Sequence, residues 1–119
     1  MKIVEATVSR GLRVTLGELA DKQMKDASLK ECFRKVGEEA RRTCNPMVYR
    51  FQIAEGVLVR HCTFGGGRQV NQVVVPKGLR GSVLRRRHVS TRDGHLRARQ
   101  TAAKITEEFF WPRLHSDVR

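Results

Sequence analysis

The stretch MVYRFQIAEGVLVRHCTFGGGRQVNQVVVP, residues 47–76, decides the fold class. Tyr49, Phe51 and Ile53 alternate with Arg50 and Gln52, Glu55-Gly56 interrupts, and Val57-Leu58-Val59 resumes the apolar run. A period of two broken at a glycine predicts a β-hairpin. Phe64-Gly65-Gly66-Gly67 supplies a second turn, and Val70 with Val73-Val74-Val75 a third strand that Pro76 stops. The economical assignment is a three-stranded antiparallel meander. The glycine triplet reads as a flexible turn and not as a phosphate-binding loop, because no Gly-Lys-Ser/Thr follows and both its flanks are strands.

Helical patterns lie on either side. Thr15 and Glu18 have capping-box spacing, and Leu16, Leu19, Ala20 and Met24 follow at helical intervals, which predicts a helix from about 16 to 25. Ser28 and Glu31 repeat the box ahead of Leu29, Cys32, Phe33 and Val36, so a second short helix ends near Gly37 and completes a helical hairpin. Residues 38–46, closing on Asn45-Pro46, read as a linker, and residues 1–14, with a weak alternation of Ile3, Val4, Ala6 and Val8, as a tail or lone strand. After Pro76, Leu79, Val83 and Leu84 mark a helix running to about His88. Asp93-Gly94 is a turn signal. Ala98, Thr101, Ala102, Ile105 and Phe109 then share one helical face, and that helix ends by Phe110 because Trp111 precedes Pro112. Trp111, Phe109, Ile105, Leu84 and Leu79 are expected in one buried cluster.

The fold class expected is α+β: an N-terminal helical hairpin, a small antiparallel meander, and C-terminal helices. The chain divides into a tail at 1–14, a helical lead-in and linker at 15–46, and a hairpin extension with its helices at 47–119.

Charge is the second strong signal. The 119 residues carry 24 Lys plus Arg against 12 Asp plus Glu, a formal balance of +12. Residues 15–39 are close to neutral, whereas residues 76–104 hold Lys77, Arg80, Arg85, Arg86, Arg87, Arg92, Arg97, Arg99 and Lys104 against Asp93 alone. Such asymmetry is the footprint of a polyanion-binding face, with nucleic acid the leading partner. Arg85, Arg86, Arg87, Arg97 and Arg99 are the expected phosphate contacts, weakly selective for sequence. No apolar run reaches the ~18 residues of a membrane span, and Glu5 interrupts the start too early for a secretory signal. An intracellular protein without a membrane partner is expected. Cys32, Cys44 and Cys62 are too widely spaced for a Cys-x-x-Cys knuckle, and Cys32 fits its helix as a small hydrophobe.

His88 follows Leu84 by four residues and His95 precedes Ala98 by three, so each lies in line with the apolar face of its helix, as a metal ligand must. Spacing alone favours the plainer reading, in which His95 caps its helix and His88 is a half-buried surface residue. The string from Val73 is more specific: Val73-Val74-Val75-Pro76-Lys77-Gly78-Leu79-Arg80, Val83-Leu84, His88 to His95, Thr101 to Ile105, and Phe109-Phe110-Trp111-Pro112 onward to Val118. It resembles the zinc-binding domain of integrases from gypsy-type retrotransposons and retroviruses. The resemblance implies a small helical bundle with a His-His-Cys-Cys zinc site, often behind a β-hairpin extension, in which His88 and His95 match the two histidine ligands. The family's Cys-x-x-Cys pair would fall about six residues past Arg119, so this chain is expected to hold half a Zn²⁺ site. Cys32, Cys44, Cys62, His61 and His115 are poor substitutes.

The resemblance further implies a fragment of a retrotransposon polyprotein whose integrase binds element ends, assembles as a homo-oligomer through this bundle, and works in the nucleus. The alternative is a small basic adaptor, retained by a host, that contacts nucleic acid or protein without metal. No catalytic residue is expected: the family's three metal-holding carboxylates belong to a separate core, and Asp93 alone cannot make a two-metal site. His61-Cys62 are strand neighbours pointing to opposite faces, poorly set as base and nucleophile.

Overall fold

A computed structural model describes residues 2–43, 47–88 and 94–119, with position 95 as backbone only. The elements run α1 (Ile3–Leu12), α2 (Leu16–Lys25), a 3-10 turn (Ala27–Leu29), α3 (Lys30–Arg34), β1 (Arg41–Arg42), β2 (Met47–Ala54), β3 (Val57–Phe64), β4 (Gln69–Val74), α4 (Lys77–Arg87), α5 (Gly94–Ile105), β5 (Phe109–Phe110) and α6 (Leu114–Asp117). The class is α+β, as expected. The meander forms the centre of the sheet: β2 pairs β3 with Phe51 opposite Arg60, and β3 pairs β4 with Val59 opposite Val73. Its first turn has Glu55 at φ 53° and Gly56 at φ 86°, the left-handed pair that matches the twist of a tight hairpin.

The sheet has five strands and not three, in the order β1-β2-β3-β4-β5. At one edge Arg41 and Arg42, within the expected linker, pair with Tyr49 and Val48. At the other, Phe109 and Phe110 run parallel to Val73 and Val74. Helix α5 therefore stops at Ile105, and Phe109, expected on its helical face, lies beyond it. The Thr106 hydroxyl turns back to the Ala102 carbonyl at 2.9 Å, and the Val73 amide donates to the Glu108 carbonyl at 2.8 Å, so the chain leaves the helix to join the sheet.

Residues 3–12 are neither tail nor strand but a helix. Val4, Val8 and Leu12 stand four apart and are buried. The side chain of its N-cap residue, Lys2, accepts no hydrogen bond. Glu55 of the hairpin turn supplies the cap instead, accepting from the amides of Val4 (3.1 Å) and Glu5 (3.0 Å).

Helix α2 has the capping box read from Thr15 and Glu18. Met24, expected on its apolar face, is exposed, and Gln23 takes the inward position. The Gln23 amide donates to the carbonyls of Leu58 (3.1 Å) and Val74 (2.7 Å) and accepts from the Leu58 amide (2.8 Å), closing the gap beyond the Val59–Val73 pair. The next turn is capped by Asp26 and not by Ser28: Asp26 Oδ1 accepts from the Ser28 amide, and Oδ2 accepts from the Lys77 amide at 2.6 Å. One carboxylate thus caps both this turn and α4, whose own N-cap is Pro76.

Two cores result, one on each face of the sheet. The larger joins Val4, Val8, Leu12 and Leu19 to Val57, Val59, Val73 and Val75 and to Val83, Ala102, Ile105, Phe109, Trp111 and Leu114, with Leu79 and Leu84 partly buried against it. The expected Trp111 cluster is part of this core, roofed by α1. A Cβ placed on Gly11 would lie 2.3 Å from Phe109 Cζ, so α1 crosses the ring at a distance only glycine permits. The smaller core joins Leu29, Cys32, Phe51, Leu58 and Val74. Among the described residues, no helix is long and apolar enough to cross a membrane.

Candidate functional site

Helices α4, α5 and α6 enclose the region where the sequence places its metal ligands and much of its charge. His88 follows α4 directly, is exposed, and lines a groove of about 230 Å³ with Leu84, Arg97, Thr101 and Val118. Position 95 falls in the first turn of α5. The expected Asp93-Gly94 turn lies in part outside the described residues, since Asp93 is not among them. A second groove of about 510 Å³ runs along α5, lined by Arg97, Ala98, Arg99, Ala102, His115 and Val118. Asp117 shares the groove of His88, but its Oδ2 accepts the Trp111 indole N–H at 2.8 Å, which ties α6 to the core.

The donor set can be tested against zinc. Among the described residues, no three His, Cys, Asp or Glu side chains come together to hold a metal. Cys32 and Cys62 are buried, and burial pushes both thiols up, away from the thiolate a metal requires. Cys32 sits in the smaller core, and Cys62 Sγ lies 3.3 Å from Gln72 Oε1. Cys44 lies outside the described residues. His88 has the accessible imidazole of a ligand, whereas these two thiols do not complete a four-ligand set. His61 is engaged through Nδ1 with Asn71 Oδ1 at 2.7 Å.

The five arginines separate into two groups. Arg85, Arg97 and Arg99 are exposed; Arg86, also exposed, and half-buried Arg87 are engaged with the rest of the fold. Arg86 Nη1 donates to the Gly11 carbonyl at 3.0 Å, at the end of α1. Arg87 Nη2 lies 2.5 Å from Glu108 Oε1, while Arg10 holds the other oxygen of that carboxylate. Successive residues on a helix project ~100° apart, so a run of three arginines cannot share one face. Arg60 was not singled out in the sequence, yet it is the most enclosed cation of the sheet: its guanidinium carbon stands 3.7 Å from the Phe110 ring centroid and 5.0 Å from that of Tyr49, with Nε donating to Gln72 Oε1 at 2.8 Å. Burial lowers its pKa, and the π faces supply the electrostatic compensation. An alternating strand with a charged residue at an inward position is the available signal for it.

These helices, their Phe109-Phe110-Trp111-Pro112 anchor and His88 meet a known pattern. Residues 75–119 match the integrase zinc binding domain. The resemblance read from Val73 onward is therefore shown for this segment, and it supports an integrase-related role. The match covers the zinc binding domain and no catalytic core. No curated protein and no solved structure matches the chain.

Proposed function

We propose that this chain is the zinc-binding region of a retrotransposon integrase, with its helical lead-in and hairpin extension, serving nucleic-acid binding and integrase assembly in DNA integration in the nucleus. The observation that carries the reading is the match over 75–119, coinciding with exposed Arg85, Arg97 and Arg99 on the two helices that flank His88. In this reading Arg85, Arg97 and Arg99 contact phosphates, while Arg86 and Arg87 hold α4 against α1 and Glu108 and contribute to the field from behind. His88 and His95 are this chain's share of a zinc site, and the metal, when bound, would clamp the end of α4 to the start of α5.

Duplex binding measured against salt tests the electrostatic part. Each phosphate contact removed should flatten the slope of log affinity on log salt by about 0.9, so Arg97→Ala with Arg99→Ala is expected to flatten it by nearly two. An unchanged slope places the contact elsewhere. The burial of Cys32 and Cys62 favours the second reading, an adaptor working without metal. Equal zinc uptake by the parent and the His88→Ala variant would support that reading.

A further inference from the structure

We propose that the outer half of the sheet carries a second nucleic-acid contact, for single-stranded nucleic acid, on the part of the larger core's face that lies beyond the helices. On this face Val59 and Val73 are buried under the larger core, and from His61 outward the same strands are uncovered. Two cross-strand rows result. Arg50, His61 and Asn71 stand directly opposite one another on β2, β3 and β4, and Arg42, Val48, Thr63 and Gln69 do so across β1 to β4. Neither row contains a carboxylate, and Arg42 and Arg50 are exposed with no ion pair among the described residues. Two shallow depressions, of about 280 and 260 Å³, lie on these rows and share Val48 and Thr63. Arg50 and His61 line one, Arg42 and Thr43 the other.

Charge and shape together select the occupant. Two unpaired guanidinium groups flanking small depressions suit a phosphate chain whose bases or sugars settle between them. With Nδ1–H of His61 donated to Asn71 Oδ1, the Asn71 amide N–H₂ and the His61 Nε2 remain for base edges, and the imidazole and guanidinium planes offer stacking surfaces. The longer row spans four strands, about 14 Å between outer strand axes. A face that broad does not enter the ~12 Å major groove of duplex DNA to reach base edges, so the donors of this row suit an unpaired strand, whose base edges are open.

Anisotropy titrations of the full chain with labelled oligo(dT) and with a duplex of equal length decide it. Arg42→Ala combined with Arg50→Ala should weaken oligo(dT) binding about tenfold or more at low salt and leave duplex binding and the melting temperature unchanged. Arg97→Ala with Arg99→Ala should do the reverse, so failure of the helical contact and failure of the sheet contact read out separately. Amide resonances of Arg50, His61 and Asn71 should shift on adding oligo(dT). Unchanged oligo(dT) affinity in the sheet variant, an equal loss of duplex binding, or no oligo(dT) binding by the parent chain would each overturn the proposal.

Discussion

The segment 75–119 matches a known domain and residues 3–34 lie outside that match, yet the second builds the core of the first. Val4, Val8, Leu12 and Leu19 occupy the same cluster as Val83, Ile105, Phe109, Trp111 and Leu114. Asp26 caps α4, Arg86 reaches back to Gly11, and Glu108 joins Arg87 to Arg10. A boundary of sequence similarity is therefore not a boundary of packing. The helices around His88 are shaped by a lead-in that lies outside the matched segment.

The hardest test of that interdependence is removal of residues 2–13. Burial of three aliphatic side chains contributes roughly 5 kcal/mol or more, comparable with the whole stability of a small domain, so the shortened chain should lose its cooperative unfolding transition by circular dichroism. A sharp melt near that of the parent would make α1 an ornament. Trp111→Ala strikes the other side of the same core and should cost about 3–5 kcal/mol in denaturant unfolding. Retained solvent-like Trp111 fluorescence in the folded parent chain would contradict its burial.

Gly11→Ala probes the seam itself. The added methyl meets the Phe109 ring, and overpacking of this kind costs about 1–3 kcal/mol. Phe109→Leu in the same chain should recover part of the loss, whereas a strictly additive double variant would place the strain elsewhere.

Asp26 offers a pH test at smaller scale. Burial works against its ionisation, but the Lys77 amide, the Ser28 hydroxyl and amide and the Arg80 guanidinium outweigh it and hold the carboxyl below its ordinary value. The unfolded chain then binds that proton more readily than the folded one. Its contribution is present in full above the unfolded pKa near 4 and fades as pH falls through the folded value. Asp26→Asn, whose amide N–H₂ cannot replace an oxygen accepting from a backbone amide, should cost about 1–2 kcal/mol at neutral pH and progressively less as pH falls through the folded value, and a loss independent of pH would exclude the ionised cap. At the small end, Arg97→Ala with Arg99→Ala should change stability by no more than about 0.5 kcal/mol, since both side chains are exposed.

Legibility followed locality. The capping box of Thr15 and Glu18, the period-two meander and the helix after Pro76 are all specified by residues near one another, and each was readable. Helix α1 was not, because its cap is Glu55, some fifty residues away, and its stripe of Val4, Val8 and Leu12 is diluted by Ser9, Arg10 and Gly11. Strand β5 was hidden because Phe109 sits four residues after Ile105 and so continues a helical stripe that the backbone abandons. The inward place of Gln23 could not be read locally, since its partners are strand carbonyls that only the tertiary fold brings within reach. The end of α4 near His88 was legible, but His88, expected in line with the apolar face, is exposed just beyond the helix; the engagement of Arg86 and Arg87 depended on partners far along the chain.

Glu108 holds Arg10 and Arg87 at once, one anionic group between two cations far apart in the sequence. To an approaching polyanion, the formal +12, which already counts Glu108, is accordingly presented unevenly, weaker where cations are paired internally and stronger where they are not. Arg60 is folded between aromatic rings and Arg80 lies beside Asp26, while Arg97, Arg99 and Arg119 line the groove along α5 and α6. Electrophoretic mobility would register the total. Capture by a charged surface would depend on which way the molecule is turned.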